Sequence, residues 1–514
     1  MKKFINLLLI ILILTTTLVS CKDKSPVNSS EGSSAAPSES NTQSGEESDE
    51  PSIYGENLPV KDMEGRVFKV LAKDFAAGSN SIFGYNGEII QRDDYDELTA
   101  GIVDVAKHET RVKIEDRYNC KIEGLITNAD GTVAGFNNLI KSSAGGYGDL
   151  YDVVFDAWGF NSSLIEEGMF VDMNKISTLD FSNPWWDQNS VSDMSILNKQ
   201  FWITGDINTY DNEGTWVMLY NKDLFSVHYP NVDLYQLVYD NEWTFDKLEE
   251  LSRTISKDSD SNGVMDENDT WGFATECYNV YVHLIGADRR ITIKNSEDIP
   301  EFNHQNESFI TALLKFIDFY KEENITIVAD TPKYQNKGFT NVWEETTIKA
   351  FKEGRALFFC CGLINVAGFR DLDFKYGFLP MPKYSSDQEY FQHSVSRTNM
   401  SAMSIPRNYA DYSQYEDLGL ILEALGAESK NSVTPIFYEK SLKGRDADET
   451  NDEKMLDLIF STRCFDMATA FGWGGILSDI VALDPNVTSL FQSHQDAVKT
   501  ALEKTINSIK ALDD

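Results

Sequence analysis

The sequence predicts an α/β protein, because predicted strands and helices alternate along the chain. Residues 68–72, 120–126 and 151–156 form the short apolar runs typical of strands, and residues 99–118 have the length and spacing of a helix. Such alternation favours a mostly parallel sheet, whose ligands gather beyond the carboxyl ends of the strands. With 514 residues, 12% of them aromatic, the chain is long enough for two domains with apolar cores.

The composition excludes some classes of partner. A formal net charge of -37 argues against nucleic acid and against a broad basic surface for membranes. Such acidity is common on secreted proteins and identifies no ligand. Apart from Cys21, the cysteines have spacings that form no zinc or CxxC pattern, so we expect small buried hydrophobic residues. They are Cys120, Cys277, Cys360, Cys361 and Cys464.

The amino terminus has the pattern of an export signal. Lys2 and Lys3 precede an apolar run that is too short to span a membrane comfortably, and Leu18-Val19-Ser20-Cys21 follows. This resembles the lipobox of bacterial lipoproteins, which implies a signal peptide over residues 1–20 and a lipidated Cys21. The alternatives are an ordinary signal peptide and an uncleaved anchor. Residues 21–57 are polar and predict a disordered tether that places a folded body clear of the lipid.

An acidic loop, residues 258–269, has the spacing of a calcium site. Oxygen-bearing side chains occupy positions 1, 3, 5, 9 and 12 of twelve, with glycine at position 6 and an apolar residue at position 8. The candidate ligands are the side chains of Asp258, Asp260, Asn262, Asp266 and Asp269 and the carbonyl group of Val264. The last aspartate departs from the glutamate usual in EF-hands, and the loop is more similar to the dockerin variant. The alternative is a solvated turn without metal.

The segments on either side of the acidic loop indicate a structural role for the ion. Thr244 can cap a helix whose apolar face contains Leu248, Leu251 and Ile255. Residues 271–275 read as a strand. A calcium ion between a helix and a strand would stiffen their connection without any catalytic water.

Two tryptophan-containing segments are candidates for ligand contact. Asp156 and Trp158 follow the third predicted strand, where they either face a ligand or start a helix and cap the core. The adjacent Trp185 and Trp186 form either a carbohydrate platform or a packed corner.

The order of segments resembles the sugar-type extracellular solute-binding proteins of ABC importers (family 1). The similarity extends over about residues 60–510 and rests on the order of several motifs along the chain. The matching segments are residues 151–159, 168–173, 220–223, 243–248, 351–359, 377–382, 427–438 and 455–460.

The resemblance implies two α/β lobes that are joined by hinge crossings and enclose a ligand cleft. It implies that lobe one contains residues 58–210 and 340–382, and that lobe two contains residues 211–339 and 383–514. Ligand contacts to both lobes would favour a closed form.

The resemblance also implies aromatic faces for sugar rings and polar groups for hydroxyls in the cleft. The expected aromatic contacts are Trp158, Trp216, Trp343 and Trp473. The expected polar contacts are Asp156, Asp206, Asn341 and Arg397. Glycines around Trp473 leave its ring room to face a cleft, and a core position is the alternative.

The function implied is capture of a carbohydrate, an oligosaccharide above all, for the permease of an ABC importer. We expect a monomer on the outer face of the cytoplasmic membrane, attached through lipid only, with no nucleic-acid partner and no catalytic residues. A secreted glycan hydrolase is the main alternative, although the sequence contains no recognisable catalytic motif and its six histidines are scattered. A second alternative is a ligand-sensing surface module with the same fold.

Overall fold

In a computed structural model of the chain, a four-stranded and a five-stranded β-sheet are packed against helices, and two further sheets in the described residues have two strands each. The structure describes residues 53–74, 87–91, 96, 98, 101–129, 131–146, 150–369, 371–442 and 449–513. The predicted signal peptide, Cys21 and most of the predicted tether lie outside the described residues. The described residues belong to one unit by their contacts.

The strands and helices of the described residues are numbered in chain order. The strands are β1 (Arg66–Lys73), β2 (Cys120–Thr127), β3 (Val153–Asp156), β4 (Trp216–Asn221), β5 (Trp271–Thr275), β6 (Thr292–Lys294), β7 (Pro300–Phe302), β8 (Thr326–Val328), β9 (Ala356–Gly362), β10 (Tyr376–Leu379), β11 (His393–Ser394), β12 (Ala402–Ser404) and β13 (Arg463–Cys464). The first nine helices are α1 (Ile102–Tyr118), α2 (Val133–Ala144), α3 (Trp158–Glu166), α4 (Gln188–Asp193), α5 (Tyr210–Glu213), α6 (Lys222–His228), α7 (Leu234–Tyr239), α8 (Phe245–Ser252) and α9 (Asn279–Gly286). The others are α10 (Glu307–Tyr320), α11 (Pro332–Gln335), α12 (Val342–Glu345), α13 (Thr347–Lys352), α14 (Glu416–Leu442), α15 (Glu449–Ser461), α16 (Met467–Phe471), α17 (Ile476–Val481) and α18 (Val487–Lys510).

The first sheet has the spatial order β12-β3-β1-β2. Strands β1 and β2 run parallel, in register from Arg66 opposite Cys120 to Lys73 opposite Thr127. Strand β3 is parallel to β1 on its other side, and β12 closes the sheet antiparallel to β3. Phe68 and Val70 of β1 are buried in the core of this lobe. The parallel arrangement confirms the predicted α/β class.

The second sheet has the order β10-β4-β9-β5-β8. Strand β5 is parallel to both β8 and β9, whereas β4 is antiparallel to β9 and β10. Every residue of β4, β5 and β9 is buried. Helices therefore cover both faces of these strands, which explains why their sequences read as continuous apolar runs.

The strand order corrects part of the predicted lobe assignment. Strands β9 and β10 come from residues 340–382, which we assigned to lobe one, yet they pair with β4 in the second sheet. Conversely, β12 comes from residues 383–514, assigned to lobe two, and pairs with β3 in the first sheet. The apolar pattern identifies each strand but does not identify its partner, which depends on contacts distant in sequence.

A buried ion cluster lies where the chain passes between the two sheets. Strand β13 pairs in parallel with β11, and Thr215, just before β4, bridges to Val395. The guanidinium group of Arg463 in β13 forms ion pairs with Asp187 and with Asp211, the latter at 3.0 Å. All three side chains are buried, at 8%, 5% and 1% exposure respectively. We call Arg463, Asp187 and Asp211 the crossing cluster.

The adjacent tryptophans form a packed corner. Trp185 and Trp186 are both buried, and their indole N–H groups donate to the carboxylate of Glu423 on α14 at 2.7 and 2.9 Å. The backbone N–H of Asp180 donates to the same carboxylate at 2.6 Å. This arrangement leaves neither indole face free as a carbohydrate platform.

The helix before the acidic loop forms as predicted. The hydroxyl of Thr244 accepts a hydrogen bond from the backbone N–H of Lys247 at 3.3 Å, and so caps α8. Leu248, Leu251 and Ile255 are buried. In the described part of the chain, no helix combines the length and the apolar character needed to cross a membrane.

Candidate functional site

A cavity of about 570 Å³ lies beside the second sheet, where β5 and β9 end and β4 begins. Since β5 and β9 are parallel, their carboxyl ends meet at this edge, as is typical of ligand sites in α/β sheets. Its lining residues are Glu213, Gly214, Trp216, Thr275, Glu276, Tyr278, Asn341, Trp343, Thr347, Ile348, Phe359, Cys360, Cys361, Gly362, Ile364, Asn365, Ser396, Arg397, Thr398 and Asn399. Four of the predicted contacts are among them, namely Trp216, Asn341, Trp343 and Arg397.

Aromatic rings form part of the cavity wall. The rings of Trp216 and Tyr278 lie 5.2 Å apart with an interplanar angle of 44°. The indole N–H of Trp216 donates to the side-chain oxygen of Asn279 at 2.6 Å, which fixes the orientation of the ring. Trp343 is 42% exposed, an unusual state for so large an apolar ring. These rings offer flat apolar faces to a ligand.

Helix α12 holds Trp343 at the cavity. Asn341 caps this helix, since its side-chain oxygen accepts hydrogen bonds from the backbone N–H groups of Trp343 and Glu344 at 3.1 and 3.2 Å. The carboxylate of Glu345 accepts the backbone N–H groups of Thr340 and Asn341 at 2.7 and 3.0 Å. The side-chain oxygen of Asn341 thus positions the tryptophan, and Asn341 itself is a lining residue of the cavity.

Glu276 is a lining residue that the sequence reasoning missed. It follows β5 directly, and the side chain of Trp343 lies beside its carboxyl group. Burial, reinforced by the neighbouring charge of Asp330, raises the pKa of Glu276 to about 7. Asp330 itself accepts the backbone N–H of Cys277 at 2.7 Å. A single glutamate after a strand has no sequence signature, although the rule that ligands gather at carboxyl ends could have directed attention to it.

Arg397 is anchored by the crossing segments. Its guanidinium group donates to the carbonyl oxygen of Thr469 at 3.2 Å, and its own carbonyl oxygen accepts the N–H of Gly159 at 3.0 Å. A Cβ atom at Gly159 would lie only 2.8 Å from that oxygen, so glycine permits this close approach. The neighbouring Ser396 donates its backbone N–H to Gly214 at 2.8 Å. The cavity therefore includes a wall formed by segments that join the two lobes.

Trp158 and Trp473 lie in the interior and do not line the cavity, which corrects their predicted placement. Trp158 is fully buried and packs edge-on against Trp202 at 5.6 Å. Trp473 is also buried and stacks on Phe471 at 5.0 Å, and Phe471 in turn lies 5.4 Å from Trp202. Both tryptophans thus belong to one continuous core. Asp156, on the same segment as Trp158, is buried, and burial raises its pKa to about 7.

Asp206 lies in a different recess and therefore does not contact the cavity. Its carboxylate accepts the hydroxyl of Thr434 at 2.6 Å and pairs with Lys430 at 3.2 Å. This recess has a volume of about 450 Å³ and contains Arg463 of the crossing cluster in its wall. The predicted polar contact at Asp206 is corrected accordingly, because Thr434 and Lys430 of α14 hold its carboxylate in this recess.

The acidic loop folds so that three predicted calcium ligands converge. Carboxylate oxygens of Asp258, Asp260 and Asp269 lie within 4.8 Å of one another. The carboxylate of Asp258 accepts the N–H of Gly263 at 2.7 Å, and Gly263 has a φ of 84°, a conformation that favours glycine. Such a set of hard oxygen donors fits Ca²⁺.

The other predicted calcium ligands make local bonds in this structure. The side-chain oxygen of Asn262 accepts the N–H of Val264 at 2.7 Å, and the carboxylate of Asp266 accepts the N–H of Asn268 at 2.9 Å. The side chain of Val264 is exposed. Three of the six predicted ligand residues therefore form the converging group.

The acidic loop also touches the wall of the cavity. Arg355, just before β9, donates to the carbonyl oxygen of Asp269 at 2.6 Å. Lys349 of α13 donates to the side-chain oxygen of Asn268 at 3.4 Å, and the same helix contributes Thr347 and Ile348 to the lining. The loop therefore contacts α13 and the start of β9, which belong to the wall of the cavity.

Solved structures share this architecture. The cyclo/maltodextrin-binding protein complexed with maltotetraose is 12% identical, with a TM-score of 0.51, and the match covers 87% of this chain and 97% of that one. UspC of M. tuberculosis is 14% identical, with a TM-score of 0.51, and the match covers 85% of this chain and 100% of that one. The extracellular solute-binding protein of Staphylococcus aureus in complex with maltose is 13% identical, with a TM-score of 0.50, and the match covers 87% of this chain and 98% of that one.

These similarities confirm the predicted two-lobed α/β fold of solute-binding proteins. At such low identity they concern the fold alone. No family model and no curated protein sequence matches the chain.

The raised pKa of Glu276 predicts a pH dependence of stability. Because this pKa is about 7 in the folded chain against an ordinary 4.5, its contribution to the free energy of unfolding is complete below pH 4.5 and is lost as the pH rises to 7. For Glu276→Gln we therefore expect a melting temperature that rises relative to wild type between pH 4.5 and 8. Calorimetry at several pH values measures this difference.

The control is Glu323→Gln, since the side chain of Glu323 is 73% exposed. Its melting temperature should follow that of wild type at every pH. A difference between Glu276→Gln and wild type that stays constant with pH would contradict the assignment.

Proposed function

We propose that this chain is an extracellular solute-binding lipoprotein that captures a carbohydrate, an oligosaccharide above all, and delivers it to the permease of an ABC importer. The observation that carries the proposal is the cavity at the ends of β5 and β9, which combines aromatic rings with polar groups. Its volume of about 570 Å³ is within the range of small-molecule sites. Two of the compared structures with this fold contain bound maltotetraose and maltose.

The chemistry of the lining suits a sugar. The exposed ring of Trp343 can pack against the apolar face of a pyranose, and the Trp216–Tyr278 pair provides a second aromatic surface. The carboxyl group of Glu276 can accept hydroxyl protons, and Arg397 and Asn399 can donate to hydroxyl oxygens. Planar apolar faces ringed by hydroxyls need both kinds of partner.

The crossing segments provide a route from binding to closure. Residues 396–399 line the cavity and connect β11 to β12 of the first sheet. A ligand in the cavity would therefore contact both the second sheet and a segment that leads into the first sheet. A ligand shifts a hinge equilibrium only by its differential affinity for the closed form. Contacts on a crossing segment are one source of such a difference.

Two other functions would use the same cavity. A glycan hydrolase requires two carboxyl groups, and the lining contains Glu213 and Glu276. Incubation with oligosaccharides followed by product analysis separates this function from capture, since a binding protein returns its ligand intact. A sensing module would bind the same ligand, and crosslinking to a permease favours import.

Replacement of Trp343 tests the capture function. In calorimetric titrations with a panel of oligosaccharides, the wild-type chain should bind at least one member. Trp343→Ala should weaken that binding at least about fivefold, because it loses a ring face worth about 1 kcal/mol beyond the buried area.

The matched control is Tyr390→Ala, which removes another exposed aromatic ring, one that is absent from the cavity lining. It should retain wild-type affinity. Equal affinities of Trp343→Ala and wild type, or release of shortened saccharides by the wild-type chain, would overturn the capture proposal.

We further propose that Cys21 is lipidated and holds the mature protein at the outer face of the membrane. The support is the lipobox in the sequence, followed by a polar tether. Mass spectrometry of protein purified from a bacterial host should find an amino-terminal peptide that begins at an acylated cysteine, and Cys21→Ser should move the protein from the membrane to the soluble fraction. An unmodified Cys21 would contradict the anchor.

We also propose that the acidic loop binds a structural calcium ion. The converging carboxylates of Asp258, Asp260 and Asp269 support this proposal, since an ion would relieve their mutual repulsion. Calcium at about 100 times its Kd should raise the free energy of unfolding by about 2.7 kcal/mol, and EDTA should reverse the gain.

The Asp258→Asn/Asp260→Asn variant should lose the calcium response in thermal unfolding. Asp246→Asn, a change at an exposed carboxylate outside the loop, should keep it. Identical melting temperatures of wild type with calcium and with EDTA would refute the ion.

A further inference from the structure

The charged groups of the cavity distinguish among the carbohydrates that it could take. Three charged side chains are among its described lining residues: Glu213, Glu276 and Arg397. Arg397 already donates to the carbonyl oxygen of Thr469 at 3.2 Å. The formal charge of the lining is therefore negative.

The surroundings of Glu276 would favour a cation. The side chain of Trp343 lies beside its carboxyl group, and the neighbouring charge that acts on it is the carboxylate of Asp330. Asp330 is held in place by the backbone N–H of Cys277 at 2.7 Å. A carboxyl group that is subject to the charge of a second carboxylate is stabilised by a positive group within hydrogen-bonding distance.

The aromatic rings next to Glu276 have the same preference. A ring face attracts an ammonium group through its quadrupole, most strongly for tryptophan and when water is excluded. Trp343 and the Trp216–Tyr278 pair line the same cavity as Glu276. A carboxylate beside electron-rich rings is thus chemically suited to a protonated amino group. A neutral hydroxyl could form a hydrogen bond with the carboxylate but neither an ion pair nor a cation–π contact.

The net charge of the whole chain also favours a cationic ligand. With a formal net charge of -37, the field around the protein draws cationic solutes towards it and repels anionic ones. This long-range attraction is screened by salt, whereas a contact inside the cavity is screened much less.

We propose that the cavity selects a carbohydrate that carries a protonated amino group, which binds between the carboxylate of Glu276 and the ring of Trp343. This inference rests on the proposed capture function and specifies its ligand class. The remaining sugar hydroxyls then have Arg397 and the 396–399 segment as partners. No covalent step is involved, because recognition consists of an ion pair, a cation–π contact and hydrogen bonds.

The experiment compares three trisaccharides of equal size and linkage: the β-1,4 trimers of glucosamine, N-acetylglucosamine and glucose. Calorimetric titrations are carried out in 150 mM and 500 mM salt at pH 7.0, so that the carboxyl group of Glu276, with its pKa of about 7, is not held mainly in its neutral form. The glucosamine trimer should bind at least tenfold more tightly than the two neutral trimers, and most of this preference should persist at high salt. A preference that disappears at high salt would assign it to the overall field and overturn the proposal.

Two variants of equal net charge locate the preference. In Glu276→Gln the preference for the amino trimer over the neutral trimers should fall to less than threefold, because the amino trimer loses more affinity than they do. Glu323→Gln, which removes an exposed carboxylate, should retain the full preference. A preference that is unchanged in Glu276→Gln would overturn the proposal.

The outcomes separate this inference from the capture function. Equal binding of all three trimers, or tighter binding of a neutral one, would refute selection by charge and leave carbohydrate capture intact. Failure of all three trimers to bind, together with failure of the oligosaccharide panel, would refute both.

Discussion

The arrangement of the two lobes depends on the buried ion cluster where the chain crosses between them. Arg463 forms ion pairs with Asp187, which caps α4, and with Asp211, which lies in α5 just before the second sheet. Breaking a buried pair leaves an uncompensated charge in a medium of low dielectric, which costs several kcal/mol. The cluster therefore fixes the path of the crossing segments, and these segments supply Gly214 and Arg397 to the cavity.

The position of the cavity follows from the strand order. Because β5 and β9 run parallel, Glu276 and Gly362 leave the second sheet at the same edge, and the antiparallel β4 brings Trp216 to that edge from the crossing. Helices α12 and α13 and the acidic loop support the outer side of this wall. A recognition surface thus arises from backbone topology, with side-chain caps such as Asn341 setting the final orientation of the rings.

The sequence predicted the strands and the α8–loop–β5 unit well, because their signals are local. Apolar runs, the Thr244 cap and oxygen donors at alternate positions each act over a few residues. Strand partners were less predictable, and residues 340–382 were assigned to the first lobe although β9 and β10 complete the second sheet. Pairing depends on contacts between residues far apart in the chain, which a single sequence does not reveal.

The errors at the site have a similar cause. Trp473 is flanked by glycines, which suggested an open ring, but Gly474 instead allows α18 to approach, since a Cβ atom there would lie 2.3 Å from Val498. Glu276 was missed because its role arises only when α12 brings Trp343 beside it. The exposure of the Trp343 ring also affects the intrinsic fluorescence of the chain. The other eight of the nine tryptophans are buried, so one indole dominates the solvent-sensitive part of the intrinsic fluorescence. The chain thus contains a built-in optical reporter at its cavity, and the emission wavelength would register occupancy without any added dye.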